Sequence, residues 1–212
     1  MIKDVIFILG FMFFSVCFTA CSEKIGVKHN ADNSILLTID SKSSKKLDTL
    51  IKSLSGTEKI FDETEIKNEI MQRNGEKVNV KAGNGASIEM EITFSGNEKD
   101  SLSPLFSESN GGKSFTLTLS KDTINQFLSL LPSETQEYTE LLLAPVFSDE
   151  KMRKDEYIQL LSAVYGDEIA KEMQGAKLEF SVVSKNGIRQ NLNIELAEIL
   201  CLRETKKYTF DW

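Results

Sequence analysis

Histidine and cysteine are scarce in this chain, which contains one His and three Cys among 212 residues. Structural zinc sites are usually built from four Cys or His ligands, and iron–sulfur clusters need several Cys thiolates. His29, Cys17, Cys21 and Cys201 cannot supply such a set, because the processing described below removes Cys17 and modifies Cys21, which leaves one His and one Cys. The sequence therefore excludes a structural zinc site and an iron–sulfur cluster, and it indicates no cofactor.

An excess of positive charge is also lacking. The chain has 25 Lys and Arg against 32 Asp and Glu, which gives a formal net charge of −7 at pH 7. Proteins that bind DNA or RNA through the phosphates do so with clustered Lys and Arg, and the sequence contains no basic stripe. We therefore expect no nucleic acid among its partners.

The long hydrophobic run of the chain is confined to its first 20 residues. Lys3 precedes an apolar stretch from Val5, and the small residues Thr19 and Ala20 come just before Cys21. This arrangement is typical of a secretory signal peptide. A membrane-spanning helix needs about 20 apolar residues, which is more than this stretch offers. Residues 1–20 are therefore predicted to be a signal peptide.

The end of this segment, Phe18-Thr19-Ala20-Cys21, resembles the lipobox of bacterial lipoproteins. The resemblance implies that Cys21 is the lipid acceptor, thioether-linked to diacylglycerol, and that the chain is cut just before it. The match departs from the usual pattern in one place, because Phe18 stands where Leu or another aliphatic residue is common. An uncleaved anchor and an ordinary secretory signal are the alternatives.

Processing at Cys21 has consequences for the rest of the chain. Cys17 is then lost and Cys21 is consumed by lipid, so Cys201 remains without a partner for an intramolecular disulfide. Cys201 lies in an apolar stretch and is predicted to be a small buried residue. Residues 21–33 are polar and predict a tether, which leaves residues 34–212 as a single domain.

The periodicity of residues 34–212 alternates between strand and helix. Strands are predicted over 34–39, 77–82, 86–94, 114–119, 177–184, 189–195 and 207–212, with turns at Gly83-Asn84-Gly85 and Asn186-Gly187. Helices are predicted over 43–54, from Asp62 to about Asn74, and within a helical segment at 121–174. This order predicts an α+β fold, a mostly antiparallel sheet packed on helices, with the helical segment inserted between N- and C-terminal strands.

Two acids are the strongest catalytic candidates that the sequence offers. Glu89 and Glu91 share one face of a predicted strand at about 6.5–7 Å, a separation suited to paired acid–base carboxylates. Alternation on a solvated strand face predicts the same spacing, and no further catalytic group converges on it. We therefore assign no catalytic, cofactor-binding or metal-binding residue and expect no enzymatic activity, with an envelope hydrolase that uses these carboxylates as an alternative.

The region from Tyr138 to Tyr165 is the most distinctive part of the predicted domain. It combines an apolar block at residues 141–147 with a charged turn at residues 148–156. A pair of core helices is the favoured interpretation. The alternative is an apolar groove between the helices of residues 121–174 that carries or senses a hydrophobic ligand, which requires an enclosed cavity of at least about 300 Å³.

Several short sequences in the C-terminal half resemble a group of spirochaete envelope lipoproteins of unassigned function. These are Leu143-Ala144-Pro145-Val146, Glu156-Tyr157, Leu160-Leu161, Val164-Tyr165-Gly166 and the aromatic strand that ends at Trp212. The resemblance implies localisation in the bacterial cell envelope and attachment to a membrane through the lipid on Cys21. It implies no substrate and no active site. We therefore expect a lipid-anchored protein with a non-catalytic binding or scaffolding role, whose partner is an envelope protein or a hydrophobic ligand.

Overall fold

The computed structural model describes residues 22–55, 61–72, 77–83, 87–94, 106–109, 113–122, 124, 144–147 and 151–212. The strands are β1 (Ser22–His29), β2 (Ile35–Lys42), β3 (Lys77–Ala82), β4 (Ile88–Phe94), β5 (Phe106–Ser109), β6 (Ser114–Leu119), β7 (Lys177–Val183), β8 (Arg189–Glu195) and β9 (Lys206–Asp211). The helices are α1 (Lys45–Ser55), α2 (Glu63–Gln72), α3 (Ala144–Phe147), α4 (Lys154–Tyr165), α5 (Asp167–Gly175) and α6 (Leu196–Leu200).

Six of these strands form one mixed sheet in the order β3-β4-β2-β1-β7-β8. Every neighbouring pair is antiparallel except β1 and β7, which run parallel in the middle of the sheet. The remaining strands form a smaller antiparallel sheet in the order β5-β6-β9. The strands predicted around Gly83 and around Asn186-Gly187 are confirmed, and Gly187 has the positive φ of 80° that its turn requires.

The predicted α+β class, a mostly antiparallel sheet packed on helices with a helical segment between N- and C-terminal strands, is wrong. The described residues are mostly strands, arranged in a mixed sheet and a second smaller sheet, with few short helices. The described part of residues 121–174 contains α3, α4 and α5, and residues 125–143 lie outside the description. The physical reason is that a second sheet, and not helices alone, packs on the apolar face of the main sheet.

The predicted tether at residues 21–33 is also wrong for the residues that are described. Ser22 to His29 form β1, and its inward side chains alternate as Glu23, Ile25, Val27 and His29, all of which are buried. The polar run that follows is the turn between β1 and β2, where Asn33 has φ 68°. Asp32 Oδ1 stabilises this turn by accepting hydrogen bonds from the Ser34 N–H at 2.9 Å and the Ser34 hydroxyl at 2.6 Å.

The core lies on one face of the main sheet. The small sheet covers the end of this face near His29, where Phe180 of β7 lies 6.5 Å from Phe115 of β6 and 5.7 Å from Phe210 of β9, measured between ring centroids. Buried residues of α1, α4, α5 and α6 join the same continuous hydrophobic cluster. Because the core occupies one face, the side chains of the opposite face point away from it.

Candidate functional site

The face of the main sheet opposite the core forms a cavity of about 500 Å³ that we call the polar groove. Residues from all six strands of the sheet line it. Its charged lining residues are Lys24, Asp40, Lys81, Glu89, Glu91 and Arg189, and its uncharged polar or small ones are Gly26, Thr38, Asn79 and Ser181. The groove arises from strand alternation, because each of these residues stands next to a residue that faces the core.

The charged residues of the groove are arranged in a cross-strand row. The strand register places Lys24 opposite Asp40, Asp40 opposite Glu89, and Glu89 opposite Lys81. Lys42, two residues after Asp40 on β2, lies beside the middle of this row, with its Nζ 3.2 Å from Asp40 Oδ1 and 3.9 Å from Glu89 Oε1. The described lining therefore contains three acids and three bases, so its formal charge is balanced.

Small side chains form the middle of the groove. The register places Ser181 opposite Gly26, Gly26 opposite Thr38, and Thr38 opposite Glu91. A Cβ atom on Gly26 would lie 2.4 Å from Thr38 Oγ1 and 3.3 Å from Ser181 Oγ. The absence of a side chain at Gly26 is therefore what allows the hydroxyls of Thr38 and Ser181 to lie over β1 from the two neighbouring strands.

This close approach gives a testable prediction. Gly26→Ala is expected to lower the free energy of unfolding by about 1–3 kcal/mol, because the added methyl overlaps a hydroxyl on a stiff, β-branched side chain. In a Thr38→Ala background the same substitution is expected to cost much less, because the overlapping hydroxyl is gone and only the approach to Ser181 Oγ at 3.3 Å remains tight. Urea unfolding of the four proteins measures the coupling. Equal losses in both backgrounds would contradict this account of Gly26.

The carboxylate of Glu23 lies on the core side of the main sheet, away from the polar groove. Its side chain is 1% exposed, and Glu23 Oε1 accepts a hydrogen bond of 2.6 Å from the Ser41 hydroxyl. Glu23 Oε2 has no hydrogen-bond partner within the described part of the chain. Burial raises the pKa of Glu23 well above its ordinary value; the Ser41 hydrogen bond lowers the pKa, and the nearby Asp40 charge raises it.

The raised pKa of Glu23 predicts how stability depends on pH. Because the folded protein holds the Glu23 proton more tightly than the unfolded chain, the free energy of unfolding falls as pH rises above the ordinary pKa. Glu23→Gln removes this dependence and keeps a hydrogen-bonding group. The stability of the variant relative to wild type is therefore expected to increase between pH 5 and pH 8, by up to about 1.4 kcal/mol per unit. Urea unfolding at several pH values measures this difference, and a constant difference would contradict it.

Of the residues named in the sequence analysis, Glu89, Glu91 and Cys201 lie within the described part of the chain and Cys21 does not. Cys21 and the signal peptide of residues 1–20 lie outside the described residues, and the description starts next to Cys21 at Ser22. Glu89 and Glu91 are both exposed on β4 and both line the polar groove, so the prediction that they share one face is confirmed. Cys201 is half-buried after α6, and burial raises the pKa of its thiol to about 11.

The helical segment offers little enclosed space in its described part. Tyr157 and Leu161 of α4 are 0% exposed. A cavity of about 190 Å³ lies near Pro145 and Met152, and an open depression of about 620 Å³ lies between α1 and the junction of α4 and α5. Residues 125–143 lie outside the description, so a ligand groove between the helices of residues 121–174 stays a prediction.

None of the described helices combines the length and the apolar character that crossing a bilayer requires. Within the described ranges, no group of three or more His, Cys, Asp or Glu side chains is placed to hold a metal ion.

Sequence reasoning identified the two glutamates of the groove and missed Lys24, Gly26, Thr38 and Asp40. Lys24 and Gly26 could have been found from the alternation of Glu23, Ile25, Val27 and His29 with smaller or charged residues.

Comparison with protein-family models, with curated proteins and with solved structures finds no match to this chain.

Proposed function

We propose that this protein is a lipid-anchored protein of the bacterial cell envelope that acts by binding and not by catalysis, with the polar groove as its binding surface. The observation that most directly supports a binding role is the polar groove itself. It has the volume of a ligand site, and residues from all six strands contribute to it. Its side chains lie on regular strands, so their positions relative to one another are fixed by the sheet.

The chemistry of the groove favours an extended peptide that has both amine and carboxylate groups. Acidic and basic side chains share one row across the strands, in which Lys24 and Lys81 flank the neighbouring acids Asp40 and Glu89. A ligand of a single charge sign meets repulsion from half of this lining, whereas a mixed-charge peptide pairs with both halves. Thr38, Asn79 and Ser181 add hydrogen-bonding groups that suit a peptide backbone.

The pairing of acids with bases also favours binding over acid–base catalysis. Asp40 and Glu89 both lie within 4 Å of Lys42, at 3.2 and 3.9 Å, and Lys24 lies 3.4 Å from Glu179. Carboxylates in exposed ion pairs can exchange those partners for the charged groups of a ligand. We therefore interpret Glu89 and Glu91 as ligand-contacting residues.

The lipid anchor is supported by the sequence before β1. Phe18 to Cys21 resembles a lipobox, and the apolar run that precedes it is typical of a signal peptide. Two or more acyl chains on one residue are enough for stable attachment to a bilayer. Because β1 begins at Ser22, the lipidated Cys21 would be bonded directly to the first residue of the sheet.

An array of short peptides with acidic, basic, neutral and mixed charge tests the groove. Mixed-charge peptides are expected to bind the wild-type chain most strongly, with binding that weakens as salt concentration increases. The triple variant Asp40→Asn, Glu89→Gln and Glu91→Gln is expected to lose this selectivity and to favour acidic peptides, because the three bases of the groove remain.

The matched control changes three exposed acids outside the groove, Asp122→Asn, Glu198→Gln and Glu204→Gln. It lowers the negative charge of the chain by the same amount and is expected to bind as wild type does. Equal behaviour of the two triple variants, or an absence of preference for mixed-charge peptides, would contradict the proposal.

A further inference from the structure

The strand β8 ends the main sheet on one side, next to β7. Two backbone hydrogen bonds show which of its groups face β7. Ser184 N–H donates to Ile188 C=O at 2.9 Å, and Leu196 N–H donates to Ala176 C=O at 3.0 Å. Because bonding alternates along an antiparallel pair, the even-numbered residues of β8 bond to β7. The odd-numbered residues direct their backbone groups away from the sheet, and these are Arg189, Asn191, Asn193 and Glu195.

These outward backbone groups are almost all unpaired among the residues that the structure describes. Glu195 C=O is the exception, because Glu195 is the N-terminal cap of α6 and its carbonyl accepts the first bond of that helix. The other outward groups form no backbone hydrogen bond with another described residue. Arg189, Asn191 and Asn193 are also exposed. A strand edge of this kind is a template for pairing with another strand.

The opposite edge of the same sheet, at β3, is protected. Gly83 N–H donates to Ser87 C=O at 2.8 Å, so the odd-numbered residues of β3 bond to β4 and Ala82 faces outward. Ala82 N–H donates to Glu63 Oε1 of α2 at 2.8 Å, and α2 packs beside β3. The two edges therefore differ, and β8 is the edge that is left for a partner.

The sequence of β8 is complementary to itself when two copies run antiparallel. If Leu192 of the two copies lies on a twofold axis, Arg189 of one copy lies opposite Glu195 of the other, and Asn191 lies opposite Asn193. Opposite charges that face each other across strands stabilise the pairing. The same register overlaps all seven residues of the strand. A shift by one pairing step moves each charge away from its partner.

The two charged side chains of β8 are able to form these pairs. Arg189 takes part in no ion pair or hydrogen bond with another described residue. Glu195 binds Lys154 through Oε2, and Lys177 of β7 lies opposite Glu195 in the sheet. Within the described part of the chain, Oε1 of Glu195 accepts no hydrogen bond and can receive one from a guanidinium.

We propose that the free edge of β8 binds β8 of a second copy of this chain, antiparallel and in the register centred on Leu192. The outward N–H and C=O groups of Asn191 then pair with those of Asn193 in the other copy. The two main sheets join into one continuous sheet, and their polar grooves open on the same side, because residues opposite each other share a face. The proposal depends neither on the ligand of the polar groove nor on the lipid anchor.

Disulfide cross-linking of the full chain in detergent micelles tests this register. In a parent chain with Cys17→Ser and Cys201→Ser, Leu192→Cys is expected to give a disulfide-linked dimer under mild oxidation. The register places the two Cα atoms of residue 192 about 4.5 Å apart, as in a pair without hydrogen bonds, and a disulfide spans that distance. Cys21 is present in every variant, so the parent chain measures the background.

The matched control is Gln190→Cys, on the same face of the same strand. In the proposed register its two copies stand about 14 Å apart along the strands, which is too far for a disulfide. Gln190→Cys is therefore expected to cross-link no faster than the parent chain. Non-reducing gel electrophoresis over a time course measures each rate, and thermal unfolding verifies that each variant is folded.

Reversal of the charges tests the pairing between Arg189 and Glu195. In the Leu192→Cys chain, Arg189→Glu is expected to slow cross-linking about tenfold, because it places like charges opposite each other at both ends of the interface. Adding Glu195→Arg is expected to restore the rate, whereas Lys207→Glu, an exposed charge reversal outside β8, is expected to leave it unchanged.

Three results would overturn the proposal: cross-linking at residue 192 no faster than in the parent chain, equal cross-linking at residues 190 and 192, or no loss with Arg189→Glu. A folded double variant that stays slow would do the same. If the double variant fails to fold, the comparison of residues 190 and 192 and the effect of Arg189→Glu still decide the outcome.

Discussion

Cys21→Ser is expected to abolish the incorporation of labelled fatty acid and to release the protein from the membrane fraction. The thioether to diacylglycerol requires a thiol, and a serine hydroxyl at the same position cannot replace it. Attachment by acyl chains is worth about 0.8 kcal/mol per buried methylene, so its loss removes the whole anchoring free energy. Metabolic labelling followed by membrane fractionation measures both effects.

Two cysteine variants serve as matched controls for Cys21→Ser. Cys17→Ser changes a residue of the predicted signal peptide, and Cys201→Ser changes a half-buried thiol after α6. Both are expected to retain wild-type labelling, because neither is the predicted acceptor. Equal labelling and equal processing of wild type and Cys21→Ser would contradict the anchor and leave the structure of the domain unaffected.

Phe180→Ala is expected to lower the free energy of unfolding by about 3–5 kcal/mol, because it leaves a cavity between the two sheets. Phe180 is 1% exposed, and its ring lies 6.5 Å from that of Phe115 and 5.7 Å from that of Phe210. These aromatic contacts join β7 of the main sheet to β6 and β9 of the small sheet. Urea unfolding monitored by circular dichroism measures the loss.

The control for Phe180→Ala is Ser181→Ala, the next residue of the same strand. Ser181 faces the polar groove, where it is partly exposed. Removing its hydroxyl is expected to change stability by less than about 0.5 kcal/mol. A loss below about 1 kcal/mol for Phe180→Ala would contradict the packing of the small sheet against β7.

Local elements of the fold could be predicted from the sequence because their signals are local. The turn at Asn186-Gly187 lies between two alternating strands, and Gly187 takes the positive φ that such a turn demands. The amphipathic spacing of Leu47 and Leu50 predicts α1, which the structure contains as Lys45–Ser55.

The arrangement of the sheets could not be predicted because it depends on distant residues. The parallel pairing of β1 with β7 places Ile25 beside Phe180, and no short-range pattern links these positions. The small sheet likewise pairs Phe115 with Phe210. The prediction of a tether over residues 21–33 leaves β1 out of the predicted sheet, and the parallel pairing of β1 with β7 is therefore missing from that prediction.

The candidate sites show the same division between local and distant information. Glu89 and Glu91 lie on one strand, so their shared face follows from alternation alone. The groove around them also needs Gly26 from β1 and Ser181 from β7, which meet only after the sheet forms.

Nuclear magnetic resonance of the isotopically labelled chain, titrated with the mixed-charge peptide that binds best on the array, tests the central claim most directly. The account predicts saturable shifts of the backbone amides of Gly26, Glu91 and Ser181, with those of Ile199 and Phe210 unchanged. Shifts confined to residues outside the six strands of the groove, or no saturable shifts at all, would contradict it.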